Sequence, residues 1–293
     1  MRQLTRRSFI KHTVGAIAAT TSLPVIGAPE ANAVSATTVR PLGKSGLSCS
    51  LLGVGTGTRG REGTTDQTRM PREELVNLLE YAYQQGITYF DLADRYGSHG
   101  HMKDALAKAI PRDKVMLLSK VWNREPDVMR ADIERFRKEV HTDYLDVVLM
   151  HCLRTGEENW PDTLKASMDV LSEAKAKGHI RAHGVSCHNL QALQRVADTA
   201  WVDVVLARIN PFGANMDGPV EEVVAALQKI HEAGKGVLGM KILGEGNPEV
   251  VAKMNESIKF VIGLGSVDAM TIGVMNAKEL DGIMGAIKEV GSA

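Results

Sequence analysis

Asp91, Tyr96, Lys120 and His151 are side chains suited to moving a proton on and off an oxygen, and each stands at or just past the end of a short apolar run. The runs are Tyr89-Phe90-Asp91-Leu92-Ala93, leading into Asp94-Arg95-Tyr96-Gly97, then Leu117-Leu118-Ser119-Lys120 and Leu149-Met150-His151. Burying either charge alone is costly, so Asp91 and Lys120 are expected to pair on adjacent strands, with Tyr96 and His151 around them. A phenol beside a buried ammonium is a candidate proton donor with a depressed pKa. Bringing it from about 10 toward 7 takes roughly 4 kcal/mol of differential stabilisation. Taken singly, each residue has an ordinary explanation: a structural ion pair, a surface tyrosine, a satisfied core histidine. Four of them on three consecutive strand ends make a constellation.

His99, His101, His151, Cys152, Cys187 and His188 also fall near these ends, but their spacings match no zinc pattern. Alternation along a strand should turn Cys152 away from His151. No metal site is expected, nor a Cys152–Cys187 disulfide, and His99, His101 and His188 are read as lining a polar mouth.

Positioning such a site requires strands that end together. From Val34 onward, apolar runs alternate with stretches of helical periodicity. The predicted strands are 51–55, 87–93, 115–121, 145–151, 180–187, 202–210, 236–243 and 269–274. The predicted helices are 71–85, 101–110, 127–140, 161–177, 190–200, 220–233, 248–264 and 276–290. Eight strands alternating with eight helices predict an α/β fold, a (β/α)8 TIM barrel, in one domain over residues 34–293, with a doubly wound sheet as the other architecture. Val39–Ser48 reads as an N-terminal β-hairpin turning at Lys44-Ser45-Gly46 that could plug one end of the barrel. The Gly- and Thr-rich stretch Thr56–Thr68 is a long loop after the first strand, of the kind that serves a binding site.

The chain has 293 residues, 44% hydrophobic and 24% charged, with 35 basic and 35 acidic side chains. Thr5-Arg6-Arg7-Ser8-Phe9-Ile10-Lys11, the apolar stretch Val14–Ile26 and the small-residue site Ala31-Asn32-Ala33 resemble a twin-arginine export signal over residues 1–33. The resemblance implies the twin-arginine translocase as a partner and the periplasm as destination. Without those residues the chain is mildly acidic, which gives no electrostatic footprint for nucleic acid, and no later apolar run is long enough to span a bilayer.

The same residues carry a second likeness. Phe90-Asp91-Leu92-Ala93-Asp94-Arg95-Tyr96-Gly97, Ser119-Lys120, Asp146-Val147-Val148-Leu149-Met150-His151 and Ile180-Arg181-Ala182-His183-Gly184-Val185-Ser186 resemble, in order, segments of the aldo-keto reductases, as does the hairpin Pro41–Leu47. The resemblance implies a tetrad: Tyr96 as general acid on a carbonyl oxygen, Lys120 and Asp91 tuning it, and His151 orienting the substrate. It implies a nicotinamide cofactor, NADP or NAD, and a small carbonyl or alcohol substrate.

By alignment with that family, the cofactor would be met by Ser186, Cys187, Arg208, Met240, Lys241, Leu243, Gly273 and Asn276. Here the pattern departs. Cys187 stands for an asparagine, Leu206-Ala207-Arg208 replaces a glutamine region, Met240 stands where an aromatic is common, and Gly273 to Ala277 offer no cation for the extra phosphate of NADP. Only Lys278 is near, so the expectation is a preference for NADP below about tenfold. These departures keep two rivals open: a non-catalytic binding barrel of the same fold, and a metal-dependent hydrolase around His151.

Overall fold

The computed structural model describes residues 34–292; the segment read as an export signal lies outside the described residues. Strands β1 (Val39–Pro41) and β2 (Ser48–Ser50) form an antiparallel hairpin, with Val39 opposite Ser50 and Pro41 opposite Ser48. The barrel follows: β3 (Leu52–Gly55), β4 (Tyr89–Asp91), β5 (Met116–Val121), β6 (Leu145–Leu153), β7 (Ile180–Cys187), β8 (Val204–Arg208), β9 (Gly236–Met240) and β10 (Ala269–Gly273). Each strand pairs in parallel with the next, and β10 closes on β3. This is the predicted (β/α)8 barrel with its hairpin.

The outer layer comprises α1 (Arg72–Gln84), α2 (His99–Lys108), α3 (Pro126–Val140), α4 (Trp160–Thr163), α5 (Lys165–Ala176), α6 (Leu190–Gln194), α7 (Val220–Glu232), α8 (Pro248–Val251), α9 (Met254–Gly263) and α10 (Ala277–Gly291). Two predicted helices are broken. Leu164 (φ −108°, ψ 25°) separates α4 from α5, and Lys253 (φ −113°, ψ 33°) closes the gap between α8 and α9. α6 stops at Gln194, and residues 195–200 continue as turns.

Side-chain alternation divides the core in two. Tyr89, Met116, Leu118, Val147, Leu149, Ala182, Val204, Leu206, Leu238 and Met240 fill the barrel with the hairpin's Leu42, Leu47 and Cys49. Their neighbours Phe90, Leu117, Val148, Val185 and Val205 pack outward under the helices. Gly53 makes room for the inner layer, since a Cβ there would stand 2.1 Å from the Tyr89 ring. Leu42 and its neighbours seal the end opposite the strand tips, anchored by Lys44 N–H donating to Gly234 O at 2.7 Å. The hairpin is therefore the plug its sequence suggested.

Candidate active site

Parity carries Asp91, Lys120 and His151 inward at the C-terminal ends of β4, β5 and β6, where the interior stops being apolar. Lys120 Nζ donates to Asp91 Oδ1, to Leu92 O at 3.0 Å and to Tyr96 Oη at 3.4 Å. Thr271 Oγ1 on β10 donates to Asp91 Oδ2 at 3.5 Å. Tyr96 ends a 3-10 turn, Asp94–Tyr96, and lies on Gly57, where a Cβ would sit 2.3 Å from its ring. His151 meets the Tyr96 ring edge-on at 5.6 Å between centroids, and its buried Nδ1 has no hydrogen-bond partner among the described residues. The four residues are thus brought together.

The charge states differ in one respect from the sequence expectation. Burial raises the Tyr96 phenol well above its ordinary value, with the Asp91 carboxylate acting the same way, where a depressed phenol was expected. Lys120 is charge-compensated by Asp91, so Tyr96 faces a nearly neutral pair and desolvation dominates. Burial also moves Asp91 up and Lys120 down. His151 is held well below its usual value by burial and then by Lys120, which keeps the ring neutral.

A cleft of about 470 Å³ opens from Asp91 and Tyr96 toward α10. Met240, Lys241, Leu243 and Gly273 line it, as their sequence positions suggested. Lys241 takes a left-handed backbone (φ 60°) just past β9 and pairs with Glu245 at 2.5 Å. The predicted long loop supplies Thr58, Arg59, Asp66 and Gln67, and Arg59 N–H donates to Glu245 across the opening at 3.1 Å.

The other expected cofactor residues lie elsewhere. Ser186 Oγ accepts from Cys152 N at 2.8 Å. Cys187 is fully buried in the outer core, facing away from the cleft, as the same alternation dictates. Arg208 pairs with Asp217 at 3.0 Å and donates to His188 Nδ1 at 2.5 Å. Asn276 caps α10 by accepting from Glu279 N at 3.0 Å. Glu279 itself, not singled out from sequence, lines the cleft, and its carboxylate accepts from Met275 N at 2.8 Å. The signal in the sequence is an acidic residue in the first turn of α10, three residues after the Asn276 cap.

A second cavity, about 210 Å³, lies beside His151 and is walled by Trp122, Asn123, Arg124, Arg154, Glu157 and Cys152. Cys152 reaches it with His151 because β6 bulges between Met150 and Leu153 and Cys152 adopts φ 63°. That irregularity overturns the expected alternation. His188 stands 6.5 Å from His151. His99, expected at the mouth, is instead buried between Ser119 Oγ (2.8 Å) and Glu139 (2.7 Å), and His101 is buried on α2. The three cysteines are free, and among the described residues no group of three or more His, Cys, Asp or Glu could hold a metal ion.

Residues 51–250 match the family model described as "Aldo/keto reductase family". The chain belongs to the aldo/keto reductase family. Among its relatives, mouse aldo-keto reductase family 1 member C21 is 28% identical over 155 residues, covering 46% of this chain and 48% of that one. Methylglyoxal reductase of Escherichia coli O157:H7 is 26% identical over 179 residues, covering 58% and 64%. The chain spans about half the length of the first of these relatives and under two thirds of the second. A solved Pseudomonas aeruginosa structure, provisionally named an aldo-keto reductase, shares the fold at TM-score 0.72 and 23% identity, over 88% of this chain and 97% of that one.

The family's nicotinamide dinucleotide fits the residues present. Met240, Ile242, Leu243 and Ile272 offer apolar walls for rings, and Lys241 and Arg59, paired with Glu245 and Asp66, are the cations at the cleft that a pyrophosphate would meet. Glu279 offers an acceptor for ribose hydroxyls.

Proposed function

We propose that this aldo-keto reductase family member is an exported, nicotinamide-dependent oxidoreductase that interconverts a carbonyl and an alcohol, with Tyr96 as proton donor and acceptor. The observation that carries the reading is Lys120 Nζ between Asp91 and Tyr96 Oη at the inner end of the cleft.

When bound, a reduced nicotinamide supplies a hydride equivalent to the carbonyl carbon. Met240, Lys241, Leu243, Gly273, Arg59 and Glu279 would hold the dinucleotide. His151, held neutral and edge-on to the Tyr96 ring, orients the carbonyl oxygen by hydrogen bonding. Tyr96 keeps its proton until negative charge develops on that oxygen, then passes it from Oη. Lys120, held by Asp91, steadies the phenolate left behind. In the other direction the phenolate takes the proton back.

For the nucleotide, the reading is NAD(H). Glu279 places a carboxylate at the cleft on the first turn of α10, the region where a phosphate clamp would stand, while the neighbouring Lys278 does not line the cleft. A carboxylate suits a ribose hydroxyl and opposes a phosphate dianion. Residues 1–33 direct the protein through the twin-arginine translocase to the periplasm, a reading supported by Arg6, Arg7 and the apolar stretch after them.

Tyr96→Phe tests the mechanism. Turnover should fall by about 10²- to 10⁴-fold while dinucleotide still quenches intrinsic fluorescence with unchanged affinity. A variant turning over at the parent rate overturns the assignment.

A further inference from the structure

We infer that the mouth beside His151 selects a carbonyl substrate carrying its own negative charge, a carboxylate or phosphate set several atoms from the reacting carbonyl. The inference rests on the proposed reading of Tyr96 and His151 and adds the substrate class.

Trp122 connects the reacting end to the charge-binding end. Its ring meets His151 edge-on at 5.6 Å and 90°, and it walls the 210 Å³ cavity. The Arg95 guanidinium lies over that ring at 4.3 Å from its centroid, and Arg154 approaches it at 5.4 Å. Neither arginine has a carboxylate partner among the described residues, whereas the cations around them are compensated. Arg124 pairs with Glu157 at 2.8 Å, Arg208 with Asp217 at 3.0 Å and Lys241 with Glu245 at 2.5 Å. Asp94, next to Arg95 in sequence, is taken by Arg135 at 2.7 Å. The mouth therefore carries two uncompensated positive charges.

A guanidinium stacked on an indole is fixed in orientation while its N–H edge stays open, the arrangement that meets a carboxylate or phosphate with paired hydrogen bonds. Arg124, by contrast, is spent on structure, donating to Trp122 O at 2.9 Å and His151 O at 2.8 Å. Both arginines are held against the Trp122 ring, while the reacting end is set by His151 and Tyr96, so the acid group and the carbonyl are held by different residues. An open chain with the acid a few carbons away spans the distance.

The test compares substrates of equal chain length in the enzyme supplied with dinucleotide. Succinic semialdehyde should exceed butanal in kcat/KM by about tenfold or more, through KM, with the advantage shrinking as salt rises. Arg95→Gln/Arg154→Gln should erase that ratio, and Arg154→Lys should restore part of it to Arg154→Gln. Glyceraldehyde 3-phosphate against glyceraldehyde, run beside the first pair, decides between phosphate and carboxylate. Succinate, which has no carbonyl to reduce, should alter tryptophan fluorescence in the parent and not in Trp122→Phe. Equal use of charged and neutral aldehydes in both pairs overturns the inference, as does a double variant that keeps the preference. If no aldehyde is reduced yet succinate binds and the double variant abolishes binding, the proposed reaction falls and the anion site stands.

Discussion

Tyr96 shows how a side chain's chemistry depends on what its neighbour has already satisfied. Lys120 is close enough to donate to Tyr96 Oη, yet it is neutralised by Asp91, so burial sets the direction and the phenol holds its proton. His151 is pushed the other way and stays neutral on mild acidification. The pair therefore favours proton donation, and pH should separate the two directions of reaction. Reduction should be flat from about pH 6 to about pH 9, because neither group changes state there, while oxidation, which needs the phenolate, should rise with pH throughout. Steady-state profiles in both directions check this. A reductive limb falling with a midpoint near neutrality would mean that Tyr96 is acidified after all.

At the scale of elements, α10 and the loop after β3 decide what the cleft accepts. Asn276 and Glu279 form a reciprocal cap: Asn276 Oδ1 accepts from Glu279 N, and Glu279 accepts from Met275 N and Asn276 Nδ2. The cap aims a carboxylate where a phosphate clamp would stand. Glu279→Arg should thus strengthen NADPH binding relative to NADH by about tenfold or more, read as dissociation constants by fluorescence at fixed salt. Asn276 remains as the helix cap, so a folded variant is expected. A parent enzyme that already prefers NADPH by two orders of magnitude would count against NAD(H) and assign the clamp to Arg59 or Lys241, the cations of the same cleft.

At the scale of the whole molecule, the closed barrel and its hairpin plug set stability, and the barrel's outer layer contains an acid-sensitive group. His183 on β7 stacks on Trp201 at 4.3 Å, and burial brings its pKa down to about 4. The unfolded chain takes up the proton near 6.5, so between about pH 6.5 and 4 it binds more protons than the native state and stability falls as pH drops. His183→Phe keeps the stacked ring and removes the titration. Its midpoint in denaturant should fall less steeply with acidification than the parent's, and parallel curves would dismiss His183 as the cause. The proposed export also concerns the whole fold, since the twin-arginine route carries folded proteins. With Arg6 and Arg7 both changed to Lys, the protein should stay in the cytoplasm on fractionation; arrival in the periplasm at the parent level would refute that route.

The alternation of apolar runs and helical stretches determined the barrel, because each strand's two-residue period and each helix's 3.6-residue period are local properties of the chain. The same parity placed Asp91, Lys120 and His151 inside at one end, and it also turned Cys187 away from the cleft, a consequence legible in Ser186-Cys187 but masked by the family alignment. No helix among the described residues is long and apolar enough to cross a membrane, as the hydropathy of the sequence indicated. Tertiary structure alone decided the rest. The bulge that brings Cys152 beside His151 breaks a local rule, and the stacking of Arg95 and Arg154 on Trp122 joins residues from three separate strand ends. Tyr96's protonation depends on the sum of burial and compensated charge around it, and that sum exists only once the chain has closed on itself.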